Sequence, residues 1–140
     1  MGRQMTSAVA DHRVQTVRDY FDAVDAGDRQ KAQKLLSPDL RFRFANLPPQ
    51  VGVDAPMKAG QTLRSAVSGM VHGVKSVRPD AAGETATAEL DMTYHRLDGS
   101  DLVVPACVVF AFDKSGRIDE YRIYVDVSEL GVHGAEQTHG

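Results

Sequence analysis

The pattern of hydrophobic residues changes once along this chain, after Gly73, and that change constrains the fold more than any other feature. Beyond Gly73, runs rich in Val, Thr, Tyr and Phe are separated by RPDAAG, LDGSD and DKSG, which are typical of hairpin turns. We predict strands near residues 74–79, 84–97, 101–112 and 117–127. Strands joined by short turns form an antiparallel meander.

The first part of the chain has helical spacing instead. Gly27 ends a first helix, and Asp28 caps a second, shorter one. The stretch LRFRFAN (40–46) then alternates apolar and charged residues, as a short strand does, before Pro48 and Pro49 stop it. The apolar face of the first helix consists of Ala10, Val14, Val17, Phe21 and Val24.

A third helix is predicted to begin at Asp54 and Pro56 and to continue to Gly73. Its apolar side would carry Leu63, Val67 and Met70. Helices followed by a meander indicate the α+β class. We therefore expect a curved antiparallel sheet whose concave face is covered by three helices.

Length and composition indicate one domain. The 140 residues are 42% hydrophobic, and we assign residues 8–131 to a single domain, with residues 1–7 and 132–140 as disordered tails. The net charge of −3, without any basic run, argues against nucleic acid or a membrane surface as a partner. The single Cys107, and the lack of a bilayer-spanning apolar stretch or signal peptide, lead us to expect a cytoplasmic protein.

Two predicted strands carry different residues on their two sides. We expect the polar sides to line a cavity under the helices, because buried charged groups persist where they are paired or used. The apolar sides would then be covered by a second subunit, which predicts a homodimer. The polar sides carry Glu89, Asp91, Thr93 and His95 on one strand and Arg122, Tyr124 and Asp126 on the other. The apolar sides carry Leu90, Met92, Tyr94, Ile123 and Val125.

The order of elements, together with FANLPPQVGVDA (44–55) and RIYVD (122–126), resembles the nuclear transport factor 2-like superfamily. Within it, the chain is similar to the SnoaL-like polyketide cyclases and the limonene epoxide hydrolases, over about residues 8–130. The resemblance implies a cone-shaped cavity. That cavity is used in the superfamily by isomerases, cyclases, epoxide hydrolases and binding modules, so the fold alone does not name a reaction.

The epoxide hydrolase resemblance implies particular site residues. That family uses two aspartates bridged by an arginine, and Asp91 and Asp126 match the aspartates. Glu89 stands where the bridging arginine would be, and Phe42 and Phe44 stand where a tyrosine and an asparagine would hold the attacking water. The chain thus departs from the family pattern at three of its five positions.

Asp91 and Asp126 are the catalytic residues that the sequence predicts. Two carboxyl groups that face one apolar cavity are pushed apart in pKa by desolvation and mutual repulsion, so that one acts as acid and the other as base. Alternatively, each is paired with a neighbouring cation, Arg122 or His95, at the rim of the sheet.

Six further residues are candidates for ligand binding. His72, at the end of the third helix, either reaches the cavity mouth or is a favourable cation at a helix C-terminus. Tyr124 either offers its hydroxyl to a ligand or belongs to the core. The full set is Tyr124, Arg122, His72, Asn46, Phe44 and Glu89.

We therefore expect an enzyme that uses acid/base chemistry on a small, hydrophobic, oxygenated ligand. Ring opening, cyclisation, isomerisation and dehydration all remain open. The alternative is a non-catalytic binding or accessory domain with the same cavity. The sequence contains no phosphate-binding glycine loop and no metal-ligand motif, so no cofactor is implied.

Overall fold

A computed structural model describes residues 8–131, and the predicted tails, 1–7 and 132–140, lie outside the described residues. Within this range no helix is long and apolar enough to cross a lipid bilayer. The elements are α1 (Ala8–Asp25), α2 (Arg29–Lys34), β1 (Leu36–Phe44), β2 (Gln50–Val51), α3 (Ala55–Arg64), β3 (Val67–Pro79), β4 (Thr85–Arg96), β5 (Asp101–Phe112), β6 (Ile118–Val125) and a final 3₁₀ turn (Ser128–Leu130).

The predicted α+β fold is confirmed, and the strands form one six-stranded sheet in the order β2-β1-β6-β5-β4-β3. The strands β3 to β6 form the predicted antiparallel meander. The sheet is not wholly antiparallel, however, because β1 pairs with β6 in parallel. A parallel pair needs a long crossover, and the chain between β1 and β6 provides it.

The predicted third helix is too long. Helix α3 ends at Arg64, and residues 67–79 form the edge strand β3, which pairs with β4 along most of its length. The spacing of Leu63, Val67 and Met70 fits a helix, but residues 67–79 contain four valines and two glycines, which favour a strand over a helix. His72 therefore lies in the middle of a strand.

The end of α1 and the beginning of α2 were predicted correctly. Gly27 has φ of +75°, the left-handed conformation that ends a helix most easily on a glycine. The Asp28 side chain accepts a hydrogen bond from the Lys31 backbone N–H at 3.1 Å, as an N-cap does. These two residues place α2 beside α1.

An aromatic cluster joins α1 to the sheet. Tyr20 contacts Tyr121 edge to face, with ring centroids 5.3 Å apart, and Phe21 contacts Phe110 in the same way at 5.7 Å. Tyr121 also packs against Phe42 on β1, at 5.1 Å. All five rings are buried. Such contacts add to the burial of apolar area and fix helix α1 over the concave face.

The two faces of the sheet are the reverse of the prediction. Leu90, Met92 and Tyr94 of β4 are buried under the helices, and Ile123 and Val125 of β6 also face the concave side. The polar residues of both strands lie on the opposite, convex face. The helices cover the apolar side of each strand because burying apolar side chains away from water is what stabilises the packing.

The homodimer stays a prediction, but its original reason does not hold, because Ile123 and Val125 are not on the convex face. That face instead exposes Val71, Val103 and Tyr124 by 46%, 58% and 50%. Val71 and Val103 flank Thr93 in register across three strands, so they form an apolar row. A second copy packed on this row would remove it from water.

A matched pair of leucine substitutions tests the core. Leu40 on β1 is fully buried, whereas Leu97 in the β4–β5 turn is 69% exposed. We expect Leu40→Ala to lower the free energy of unfolding by about 2–5 kcal/mol, because a cavity replaces buried methyl groups. Leu97→Ala should change it by less than about 0.5 kcal/mol. Urea denaturation of both variants measures the difference, and equal losses would contradict the described core.

Sedimentation measures the predicted dimer. We expect a species of twice the 15.2 kDa chain mass at micromolar concentration. Val103→Glu should shift it towards the monomer, because a charge would then be buried in the apolar row. Leu97→Glu introduces the same charge away from that row and should leave the dimer intact. A monomeric wild-type protein would refute the prediction.

Candidate active site

A cavity of about 350 Å³ lies between the three helices and the concave face of the sheet, and we call it the concave cavity. Its walls are mainly apolar side chains from the three helices and from five strands, and they include Phe42, Phe44, Leu63, Met92 and Val108. A volume of this size is typical of small-molecule sites. The few polar groups on its walls therefore decide what chemistry it can support.

His72 lines the concave cavity and is held by Asp25, the last residue of α1. One carboxylate oxygen of Asp25 lies 2.6 Å from His72 Nδ1, and the other accepts the His72 backbone N–H at 3.0 Å. The imidazole also stacks on Phe21, with centroids 4.9 Å apart. Its side chain is only 11% exposed. Two contacts thus fix the orientation of the ring, and a third holds the backbone of the same residue.

The charge of Asp25 determines which ring nitrogen carries the proton. Burial raises the pKa of Asp25, but the His72 ring, by hydrogen bond and charge, and the His72 backbone N–H together lower it below its usual 3.8. Asp25 is therefore ionised at neutral pH and can only accept hydrogen bonds. His72 Nδ1 must then be the donor, so Nε2 of the neutral ring carries the free lone pair.

The sequence analysis did not include Asp25, although a signal for it was present. The last turn of α1 contains no basic residue and ends in an aspartate, where the helix dipole disfavours a negative charge. A carboxylate in that position needs a compensating partner. That partner is His72, which is 47 residues away in the sequence. Because the predicted third helix included His72, the sequence analysis could not place it beside the end of α1.

Three buried tyrosines contribute to the walls of the concave cavity. Tyr20, Tyr94 and Tyr121 all line it, and all three are buried. Burial raises the pKa of Tyr94 to about 12, and it raises the pKa values of Tyr20 and Tyr121 far above 10. They therefore remain protonated hydrogen-bond donors at neutral pH. The sequence analysis placed Tyr94 on the apolar side of a strand that a second subunit would cover.

The two predicted catalytic aspartates do not line the concave cavity. Asp91 lies on the convex face, with its side chain 50% exposed and 3.9 Å from Lys75. Asp126 follows the end of β6, is exposed, and accepts the Ser128 backbone N–H at 2.9 Å. That hydrogen bond lowers its pKa, which is the reverse of the predicted rise for a cavity carboxyl. The expectation that both face one cavity is wrong, because the strand faces are reversed.

Three predicted ligand-binding residues also lie on the convex face. Arg122 forms an ion pair with Glu120 at 3.0 Å and donates a hydrogen bond to the Tyr124 hydroxyl at 3.1 Å. Glu89 is exposed and lies 3.4 Å from the Ser76 hydroxyl. These side chains lie on the outer surface of the sheet and do not line the concave cavity.

Of the remaining three predicted ligand-binding residues, two line the concave cavity and one does not. His72 and Phe44 both line the concave cavity. Asn46 is exposed in the turn after β1, and the left-handed Ala45 before it, with φ of 51°, turns the chain away from the cavity. Of the six ligand-binding candidates, the structure therefore brings only an imidazole and a phenyl ring to this site.

The polar groups of the site do not form a metal centre. No three His, Cys, Asp or Glu side chains come together anywhere in residues 8–131 in a way that could hold a metal ion. At the concave cavity, Asp25 and His72 are bonded to each other. The arrangement is instead that of an imidazole oriented by a carboxylate beside buried phenolic donors, which is suited to proton transfer.

Comparisons with known proteins agree with this architecture. Residues 17–121 match the sequence profile of the SnoaL-like domain family, which is most of the chain. The chain belongs to the SnoaL-like domain family. No curated protein matches it. The similarity to the SnoaL-like proteins that the sequence indicated is confirmed by this match.

Solved structures show the same fold at low sequence identity. One is a nuclear transport factor 2-like protein of unknown function from Burkholderia pseudomallei, with 18% identity, a TM-score of 0.74, and coverage of 84% of this chain and 93% of that one. A protein assigned as a SnoaL-like polyketide cyclase from Jannaschia sp. gives 18% identity, a TM-score of 0.76, and coverage of 89% and 92%. An epoxide hydrolase similar to limonene epoxide hydrolase, from M. tuberculosis, gives 19% identity, a TM-score of 0.70, and coverage of 87% and 88%.

The lowered pKa of Asp25 predicts a particular pH dependence of stability. A carboxyl group whose pKa is depressed by folding contributes stability above its unfolded pKa and loses it as the pH falls through its folded pKa. We therefore expect Asp25→Asn to destabilise the protein at about pH 5, where Asp25 is ionised. The difference from wild type should shrink below pH 3.8. Denaturation across this range measures it, and a difference independent of pH would contradict the described pair.

Proposed function

We propose that this protein is an enzyme that transfers protons on a small, largely apolar, oxygenated molecule bound in the concave cavity. One observation carries the proposal: the Asp25 carboxylate holds both the backbone N–H and the ring of His72 at the wall of that cavity. A carboxylate that binds Nδ1 fixes the ring and its tautomer, so that Nε2 is free to accept a proton, as in catalytic histidines.

In the proposed mechanism, His72 Nε2 removes a proton from a carbon next to a carbonyl group of the substrate, and the electron pair of the broken C–H bond moves into the enolate. Negative charge then develops on the substrate oxygen. The hydroxyl of Tyr94 donates a hydrogen bond to that oxygen, and it stays protonated because burial raises its pKa. His72 returns the proton to another atom. Isomerisation, dehydration and cyclisation all include such a step.

The apolar walls support this chemistry physically. Apolar walls lower the local dielectric, so a hydrogen bond to a developing oxyanion is stronger there than it would be in bulk solvent. The family membership supports a small-molecule substrate, because relatives of the same fold are named as a polyketide cyclase and an epoxide hydrolase. We do not propose hydrolysis by an Asp91–Asp126 pair, since both residues lie outside the cavity.

A chromogenic probe tests the proposed base without the natural substrate. Nitrobenzisoxazole opens in one step, in which a base removes the ring C–H proton, the N–O bond breaks, and its electron pair remains on the phenolate oxygen. We expect the wild-type protein to accelerate this reaction. His72→Gln should reduce the rate by roughly 10²-fold or more, as expected for the loss of a general base. The phenolate absorbance gives the rate.

The chain offers a matched control for this substitution. His95 Nδ1 lies 2.7 Å from Asp101 in a similar His–Asp pair, but that pair is solvent-exposed and lies outside the concave cavity. His95→Gln should leave the rate unchanged. Equal rates for wild type, His72→Gln and His95→Gln would contradict the proposal and favour the non-catalytic binding domain. Unfolding curves verify that each variant is folded.

A further inference from the structure

Two arginines line the concave cavity from different helices. Arg29 is the first residue of α2, and Arg64 is the last residue of α3. Both residues are exposed overall, whereas His72 and the three tyrosines lie deeper. The cavity therefore has a cationic opening and a largely apolar interior, in a chain whose net charge is −3.

Neither guanidinium is neutralised by the protein. Throughout residues 8–131, no carboxylate oxygen lies within 4.0 Å of Arg29 or Arg64, although other arginines form such ion pairs. The carboxylates of the neighbouring segments are already engaged. Asp25 binds His72, Asp28 caps α2, and Asp54 accepts a hydrogen bond from Gln33 at 3.1 Å. The two positive charges thus remain available to a ligand.

Gly60 gives the Arg64 side chain its position. A Cβ atom at Gly60 would lie 3.1 Å from Arg64 Nη1, so the guanidinium folds back along α3 across the glycine. Both residues line the concave cavity. Glycine is a poor helix-forming residue, and this one stands within a ten-residue helix. Its lack of a side chain leaves space for the guanidinium beside the cavity.

We infer that the ligand of the concave cavity is an amphipathic anion, with an apolar ring system inside and a carboxylate or similar anionic group between Arg29 and Arg64. Guanidinium groups suit this role because they bind carboxylates through paired N–H donors and are weakly hydrated. The inference rests on the proposed function for the identity of the site, and it adds the charge of the substrate and the residues that bind it.

Two dyes with the same apolar body test this inference. Anilinonaphthalene sulfonate and N-phenylnaphthylamine share their ring systems, and only the first carries an anionic group. We expect the wild-type protein to bind the sulfonate more tightly, by at least about threefold at low salt, and the preference to decrease as salt is added. Fluorescence titration gives both dissociation constants.

The variant R29Q/R64Q should lose this preference while binding the neutral dye as wild type does. The matched control is R18Q/R78Q, which removes two exposed arginines that do not line the cavity and changes the net charge equally. It should retain the preference. Equal binding of the two dyes by wild type, or equal losses in both double variants, would overturn the inference. Because binding is measured separately from nitrobenzisoxazole turnover, this failure and failure of the proposed base are distinguishable.

Discussion

The two hydrogen bonds that Asp25 accepts from His72 are the interaction on which the rest of this site depends. Strand β3 is an edge of the sheet, so its outward N–H groups have no neighbouring strand to bind. Asp25 satisfies one of them and, with its second oxygen, orients the imidazole of the same residue. One carboxylate thereby connects α1 to the sheet edge and sets the direction of the proposed base.

The aromatic cluster makes this arrangement rigid and keeps its donors protonated. Phe21 stacks on the His72 ring and also packs on Phe110 in the core, so the imidazole rests on a buried surface. The same burial that raises the pKa values of Tyr20 and Tyr121 also holds their rings in place. The contact between α1 and the sheet therefore both holds the aromatic rings of the cavity in place and keeps the tyrosine hydroxyls protonated.

Local patterns predicted the local structure of this chain well. Gly27, Asp28 and the turn sequences of the meander act over a few residues, so their consequences could be derived from the sequence. The site depended on two longer-range facts, and both were missed. The spacing of Val67 and Met70 fits a helix as well as a strand, and this segment is a strand because it pairs with β4. Which face of the sheet is buried depends on where the helices pack, and they cover the apolar side of β4 and β6.

The protonation state of His72 tests the central claim most directly. Nitrogen-15 chemical shifts and long-range couplings of labelled histidine distinguish the two neutral tautomers. At a pH where the ring is neutral, we predict that His72 carries its proton on Nδ1 in the wild-type protein, because the Asp25 carboxylate is 2.6 Å away and can only accept. In Asp25→Asn that constraint is removed, and the Nδ1-protonated form should no longer dominate. A proton on Nε2 in the wild-type protein would contradict the account.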